Sequence, residues 1–355
     1  MKKLIFFISG KEIGGGEKYA IKLAKAIKKY GDYKVFVACP PGGKLAELVV
    51  KQLSKRALIP FSFNDIPGPM EVAKFLGRIR KIKPHIIHTH LNRAAIYAGL
   101  LKPLLSGKII STMHGLNRRI YYNMADKIIA VSLFGKEHLL QQGCKKQDVK
   151  VIANGVDTDY FQPDKPNHFT RKGRICCVGR LHPNKGQRTL LQAMQILLKN
   201  SIDYELHLVG EGPDEKILKK TVVELGISRK VFFHGFLHDV RPVLNRCDIF
   251  ILPSLNESLP LSALEALSMG LKIIASNVGD LPRILQLPLA LMLENTEPEC
   301  IVKAVKKLSG KKQQSPIPEH RKFVQQNFTW NRVVASHKLL YKKMFSVKRT
   351  NRDIS

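Results

Sequence analysis

The sequence predicts an α/β protein made of two Rossmann-like parallel-sheet domains facing each other across a cleft. Three observations predict it. Short apolar runs alternate with amphipathic helical stretches along nearly the whole chain, the pattern of βαβ units in a parallel sheet. The alternation breaks once, at NGVDTDYFQPDKPNHFTRKG (154–173), whose Asn, Asp, Pro and Gly content is that of a linker. A length of 355 residues suits two domains better than one.

The elements follow in order. Leu4–Ser9 reads as a strand, followed by the glycine turn 14–16 and a helix from Glu17 to Lys29. That helix places Ala20, Ile21, Ala24 and Ile27 on one face and Lys18, Lys22, Lys25 and Lys29 on the other. Lys34–Ala38, His85–Thr89, Lys108–Thr112 and Lys127–Val131 read as further strands. Beyond the linker, strands are expected at Ile175–Val178, Glu205–Val209, Val231–His234, Ile249–Leu252 and Lys272–Ala275. Helices are expected at Thr189–Leu198, Pro213–Glu224 and Ser262–Ser268. The domains are therefore placed at 1–160 and 161–330. The amphipathic tail, with Val333, Val334, His337, Leu340, Tyr341 and Met344 on one face, is expected to pack back on the first as a helix within 330–355.

Composition narrows the class. Lys and Arg number 59 against 28 Asp and Glu, a net charge of +31, so an anionic partner is expected. The apolar run Leu4–Ile8 is too short for a signal-peptide core, and no stretch approaches the roughly 18 apolar residues that span a bilayer. Six cysteines without a CxxC spacing read as reduced thiols, which points to a cytoplasmic chain, soluble or peripheral on a membrane.

The stretch NESLPLSALEALSMG (256–270) carries Glu257 and Glu265 in an otherwise apolar segment. Pro260 suits a first helical turn, so the free amides around Leu259 to Ser262 form an anion site at a helix N-terminus. Two carboxylates beside it either accept hydrogen bonds from ribose and sugar hydroxyls or are ion-paired within a very basic protein. In VGRLHPNKG (178–186), Arg180 and Lys185 lie where a first βα loop places a phosphate, and two cations there neutralise a diphosphate. LVGEGP and FHGF add glycine turns at strand ends, which permit close backbone approach.

In this order, NGVDTDYF, VGRLHPNKG, LVGEGP, FHGF and the Glu257-x7-Glu265 spacing resemble the retaining glycosyltransferases of family 4, which have the GT-B fold. GGGEKYAIKLAKAI (14–27), HIIHTH (85–90) and STMHG (111–115) extend the resemblance more loosely into the first half. It implies that Arg180 and Lys185 bind the diphosphate of a UDP- or GDP-sugar, Glu265 the ribose, and Glu257 the transferred sugar. Leu259 belongs to the donor site, and His114 faces the sugar, its other reading being a core histidine. Gly15 and Gly16 let the first-domain loop approach the donor or acceptor. It implies no permanently bound cofactor, with the donor bound as substrate. The acceptor would be a glycan, lipid-linked or of lipopolysaccharide type, bound on the first-domain side. Ser258, where the family often has Gly, and Gly279-Asp280-Leu281-Pro282-Arg283, where it often has Gly-Gly-x-Pro-Glu, leave the sugar open.

Other patterns carry less. Asp157-Thr-Asp159 matches a metal signature of a different glycosyltransferase fold but lies in the linker; of His85, His88 and His90 only the last two share a strand face, with no clear third ligand, so no metal is expected. The P-loop-like GKEIGGGEK (10–18) lacks the Lys-Ser/Thr ending. The charge also raises nucleic-acid binding, but no such motif is present and none is expected. A sugar-nucleotide epimerase or hydrolase on the same fold is the other alternative. EVAKFLGRIRKIK (71–83) has Val72, Phe75, Leu76 and Ile79 flanked by Lys74, Arg78, Arg80, Lys81 and Lys83. It reads equally as a helix lying on an anionic membrane and as one packed on a core. Arg118-Arg119 with Tyr121-Tyr122 adds a basic-aromatic patch near His114.

Overall fold

The computed structural model describes the chain except residues 11–12, 64–65, 165–172, 310–317 and 347–355. Parts of the linker, of the P-loop-like stretch and of the tail expected to reach 355 thus lie outside the described residues. The chain divides into two compact units, Met1–Ala153 with Asn331–Ser355, and Asn154–Trp330. The tail helix Trp330–Ser346 belongs almost entirely to the first unit.

The first unit holds a seven-stranded, all-parallel sheet in the order β3-β2-β1-β4-β5-β6-β7. Its strands are β1 (Lys2–Ile8), β2 (Tyr33–Cys39), β3 (Leu58–Pro60), β4 (Ile86–His90), β5 (Lys108–Met113), β6 (Lys127–Ala130) and β7 (Val149–Val151). Leu4 to Ile8 are all fully buried, because a central parallel strand is covered on both faces. The helix Gly15–Lys29 buries Ala20, Ile21, Ala24 and Ile27, and Tyr19 and Leu23 with them. The six apolar-face residues named for the tail helix are all buried. Fully burying a side chain of this size contributes about 1.5–3 kcal/mol, so this face suffices to hold the tail in place.

The helix Pro69–Ile82 decides between its two readings. Phe75, Leu76 and Ile79 are buried in a cluster with Phe7, Phe61 and Phe63, and Val72 packs against it. The apolar stripe is spent on the core, so this helix has none to insert in a bilayer. The basic-aromatic patch is also corrected. Tyr122 is a core residue whose hydroxyl donates to Asn92 Oδ1 at 2.7 Å.

The second unit holds a six-stranded parallel sheet, β10-β9-β8-β11-β12-β13. Its strands are β8 (Gly173–Val178), β9 (Tyr204–Val209), β10 (Val231–Phe233), β11 (Ile249–Leu252), β12 (Lys272–Ser276) and β13 (Ala290–Leu293). In each sheet the strand order reverses once, between β1 and β4 and between β8 and β11. Ligands of open α/β sheets bind beyond the carboxyl ends of the strands at such a reversal.

Candidate active site

In the second unit the reversal brings together the loops after β8 and β11. The chain leaves β8 through Arg180 and makes a short turn, Pro183–Lys185, which His182 caps by accepting the Asn184 amide at 3.2 Å. Gly186 follows with φ +68, and a Cβ there would lie 2.1 Å from the Pro253 carbonyl oxygen. Only glycine fits, and the close approach seats the turn on the start of the β11 loop. The Leu255 amide donates a hydrogen bond to the Asn184 carbonyl at 2.8 Å. The result is a contact between two residues picked from sequence: Lys185 Nζ donates to Glu257 Oε1 at 2.5 Å. Glu257 is one-tenth exposed, so its charge is held largely out of water against this one ammonium. For Glu257 the ion-paired reading of the carboxylates therefore holds.

Arg180 is exposed, and its guanidinium has no partner among the described residues. Its backbone is fixed instead, because buried Gln187 donates to the Arg180 carbonyl at 2.9 Å. The helix Leu261–Ser268 begins after Pro260, which has extended backbone and forms the cap rather than the first turn expected of it. No side chain caps this helix, so its first-turn amides keep their hydrogen-bonding capacity for an anion. Glu265 lies in the second turn and is half-buried. Leu259 is buried, and its carbonyl accepts from Asn154 Nδ2 at 2.7 Å. Gly279, with φ +61, presses on the same loop, since a Cβ there would meet the carbonyl oxygens of Glu257 and Ser258 at 2.4 and 2.5 Å. The departure from the family pattern at 279–283 thus keeps the glycine that shapes the Glu257 loop.

In the first unit the reversal gathers Gly14–Gly16, His90 and His114. Gly15 opens the helix Gly15–Lys29, exposed and with open space where a side chain would go. Gly16 is confined, because a Cβ would lie 2.9 Å from Leu91 and 3.4 Å from His114. His114, partly exposed just beyond β5, places Nε2 2.9 Å from His90 Nδ1. Behind it His88 bonds Tyr341 and Thr112, both at 2.7 Å, and His337 bonds the Val333 carbonyl at 2.8 Å. Burial drives all four imidazoles down, His114 and His337 to about 4 and His88 and His90 well below their ordinary value. The four are neutral at pH 7. Leu91, between β4 and the next helix, has φ +71 and ψ 155, backbone that nearly always requires glycine and costs on the order of 1–3 kcal/mol.

Asn154, Gln187 and Leu91 were not singled out from sequence, and His90 only as a metal-ligand candidate and as part of HIIHTH. Asn154 and Gln187 act through backbone carbonyls, which leaves no spacing signature. The pairing of His90 with His114 appears only when β4 and β5 are placed in register, His90 opposite Thr112. The decoys resolve simply. Asp157 accepts the Tyr160 amide at 3.3 Å, as a turn residue does. Among the described residues no three His, Cys, Asp or Glu side chains converge as a metal site, and no helix is long and apolar enough to cross a membrane.

Residues 172–311 match the model of the glycosyl transferases group 1, and residues 13–160 that of glycosyltransferase family 4. The chain belongs to the family 4 glycosyltransferases. Among its relatives, the amylovoran biosynthesis glycosyltransferase AmsK of Erwinia amylovora is 25% identical over 224 residues, 57% of this chain and 55% of that protein. The UDP-Gal:alpha-D-GlcNAc-diphosphoundecaprenol alpha-1,3-galactosyltransferase of Escherichia coli is 27% identical over 236 residues, 57% of this chain and 60% of that one. The chain spans little more than half the length of the first curated relatives it matches. The fold of Anabaena HepE, solved with UDP-glucose, superposes with a TM-score of 0.84 at 19% identity, covering 98% of this chain and all of that one. The chain's two Rossmann-like parallel-sheet domains are of the GT-B class.

Proposed function

We propose that this glycosyltransferase moves a sugar from a UDP- or GDP-sugar to a glycan acceptor, lipid-linked or of lipopolysaccharide type, with retention at the anomeric carbon. The observation that carries the reading is the meeting of Arg180, Lys185 and an uncapped helix N-terminus at one sheet reversal. That is a cationic, preorganised place for a diphosphate leaving group. Glu265 accepts from the ribose hydroxyls, Glu257 and His114 contact the sugar, and the amides from Leu259 onward face the diphosphate. Gly15 and Gly16 let the backbone come close to donor or acceptor. As the anomeric C–O bond to the diphosphate breaks, the acceptor oxygen bonds to the same face, and its proton passes to the leaving phosphate oxygen. No enzyme nucleophile and no metal take part. The relatives' names support a lipid-linked glycan acceptor, and the HepE complex supports a UDP-sugar. The work would then lie on the cytoplasmic side, with the basic surface, not an inserted helix, turned to anionic lipid.

Thermal unfolding with UDP-, GDP- and ADP-sugars tests the donor, because a ligand at about 100 times its Kd adds roughly 2.7 kcal/mol. Stabilisation by none of them overturns the reading. With the donor known, product analysis separates transfer from a free epimer or free sugar. Glu265→Gln is expected to weaken binding of the free nucleotide about tenfold, as loss of a charge-assisted hydrogen bond does. Glu257→Gln is expected to slow transfer and leave nucleotide binding near wild type. Equal nucleotide affinity in wild type and Glu265→Gln would remove the ribose role.

A further inference from the structure

His90 ends β4 fully buried, its ring stacked on Phe6 and His114 at centroid distances of 5.6 and 5.2 Å. It is neutral, so it carries one N–H. Its Nδ1 faces His114 Nε2 at 2.9 Å, while its own Nε2 is buried with no hydrogen-bond partner. The two tautomers therefore differ in what they strand. A proton on Nε2 would leave a buried N–H unpaired, the costlier defect. A proton on Nδ1 donates to His114 and strands only a lone pair. His337 shows the same choice, since its Nδ1 donates to the Val333 carbonyl and its Nε2 is left unpartnered.

The consequence falls on His114. If its Nε2 accepts from His90, its single proton must sit on Nδ1. That nitrogen makes no hydrogen bond among the described residues, and the residue is partly exposed. The rest of the setting resists rearrangement. Tyr19 lies edge-on to His114 at 5.1 Å, and the strained Leu91 follows His90 directly.

We propose that His90 is a positioning residue that locks His114 as the Nδ1–H tautomer, so that His114 offers a bound sugar a hydrogen-bond donor and not a lone pair. The functional half rests on the reading above that His114 contacts the sugar; the tautomer does not. A donor at this position selects a ligand oxygen able to accept, a hydroxyl or ring oxygen. It also fits a transfer in which the enzyme supplies neither base nor nucleophile.

Long-range 15N–1H correlation spectra of 15N-histidine-labelled full-length protein, near neutral pH, report each ring's tautomer without any ligand. The expected result is a protonated Nδ1 on both His90 and His114. His114 protonated on Nε2 overturns the proposal. His90→Asn, whose amide nitrogen takes the place of Nδ1, is expected to keep the His114 tautomer, and His90→Leu to release it into a mixture. If His90→Leu does not fold, the wild-type and His90→Asn spectra still decide. The functional half is read with UDP-glucose or whichever nucleotide sugar stabilises the protein. His90→Leu should lower kcat/KM roughly tenfold with His90→Asn close to wild type, as one hydrogen bond is worth. A locked tautomer with unchanged kcat/KM in both His90→Leu and His114→Ala would show that His114 does not serve the sugar, and would overturn that half alone.

Discussion

Lys185→Ala and Arg180→Ala are each expected to lower kcat/KM by roughly 30- to 900-fold, equivalent to about 2–4 kcal/mol of lost transition-state stabilisation. The two variants should differ in stability. Arg180 is exposed with no side-chain partner among the described residues, so its loss should leave the unfolding midpoint unchanged. Lys185 is paired with Glu257, whose side chain is only one-tenth exposed, so removing it strands a largely desolvated carboxylate. The pair itself reaches solvent on the lysine side, which holds the cost to about 1 kcal/mol. The pairing raises a competing explanation: Lys185 would serve only to hold Glu257. A double-mutant cycle separates the two. If Lys185 acts on the diphosphate, Lys185→Ala still loses most of its activity in a Glu257→Gln background. If that background abolishes the effect, the ion pair is all that Lys185 provides. Unaltered turnover in both single variants would remove the phosphate assignment altogether.

Much of this fold is legible without coordinates, because central parallel strands are buried on both faces and so write themselves as apolar runs. β11 (Ile249–Leu252) lies where periodicity puts it, and the other central strands differ from expectation by one or two residues at their ends. The strands that sequence does not announce, β3, β7 and β13, are at sheet edges. β3 is three residues long and ends in Pro60, which an edge tolerates and a central strand would not. β13 is only partly buried, so it needs no continuous apolar run. In the candidate site, Lys185 and Glu257 are readable singly, as a cation and a carboxylate on two βα loops. Their contact is not, since it depends on Gly186 fitting against the Pro253 carbonyl, a distance no spacing encodes. The helix Pro69–Ile82 shows the converse limit. A stripe of Phe, Leu and Ile between lysines has the same sequence whether it meets lipid or a sheet, and only the Phe7, Phe61 and Phe63 cluster decides.

The first unit should be acid-labile, because its histidine cluster is built neutral. His337, fully buried, is held at about 4 by burial against an ordinary value of 6.5. His114 is held there too, by burial first and then by the proximity of His337. His88 and His90 are driven well below the ordinary value, by burial first and then by the neighbouring imidazoles. The sign follows from proton counting. Below pH 6.5 the unfolded chain binds protons that the folded chain refuses, so stability is complete above that value and falls as pH drops toward 4. The full displacement at His337 is worth about 3 kcal/mol, and between pH 7 and pH 5 roughly 2 kcal/mol of it is lost. The four sites interact, so their losses do not simply add, but a total well above that of one histidine is expected. Urea unfolding at the two pH values measures it. His337→Gln retains a donor near the Val333 carbonyl and removes one titrating ring, so its pH dependence should be shallower by about 2 kcal/mol than wild type. An identical slope in the two proteins would mean that His337 takes up its proton at the same pH folded and unfolded, and so that burial does not hold it neutral down to about 4.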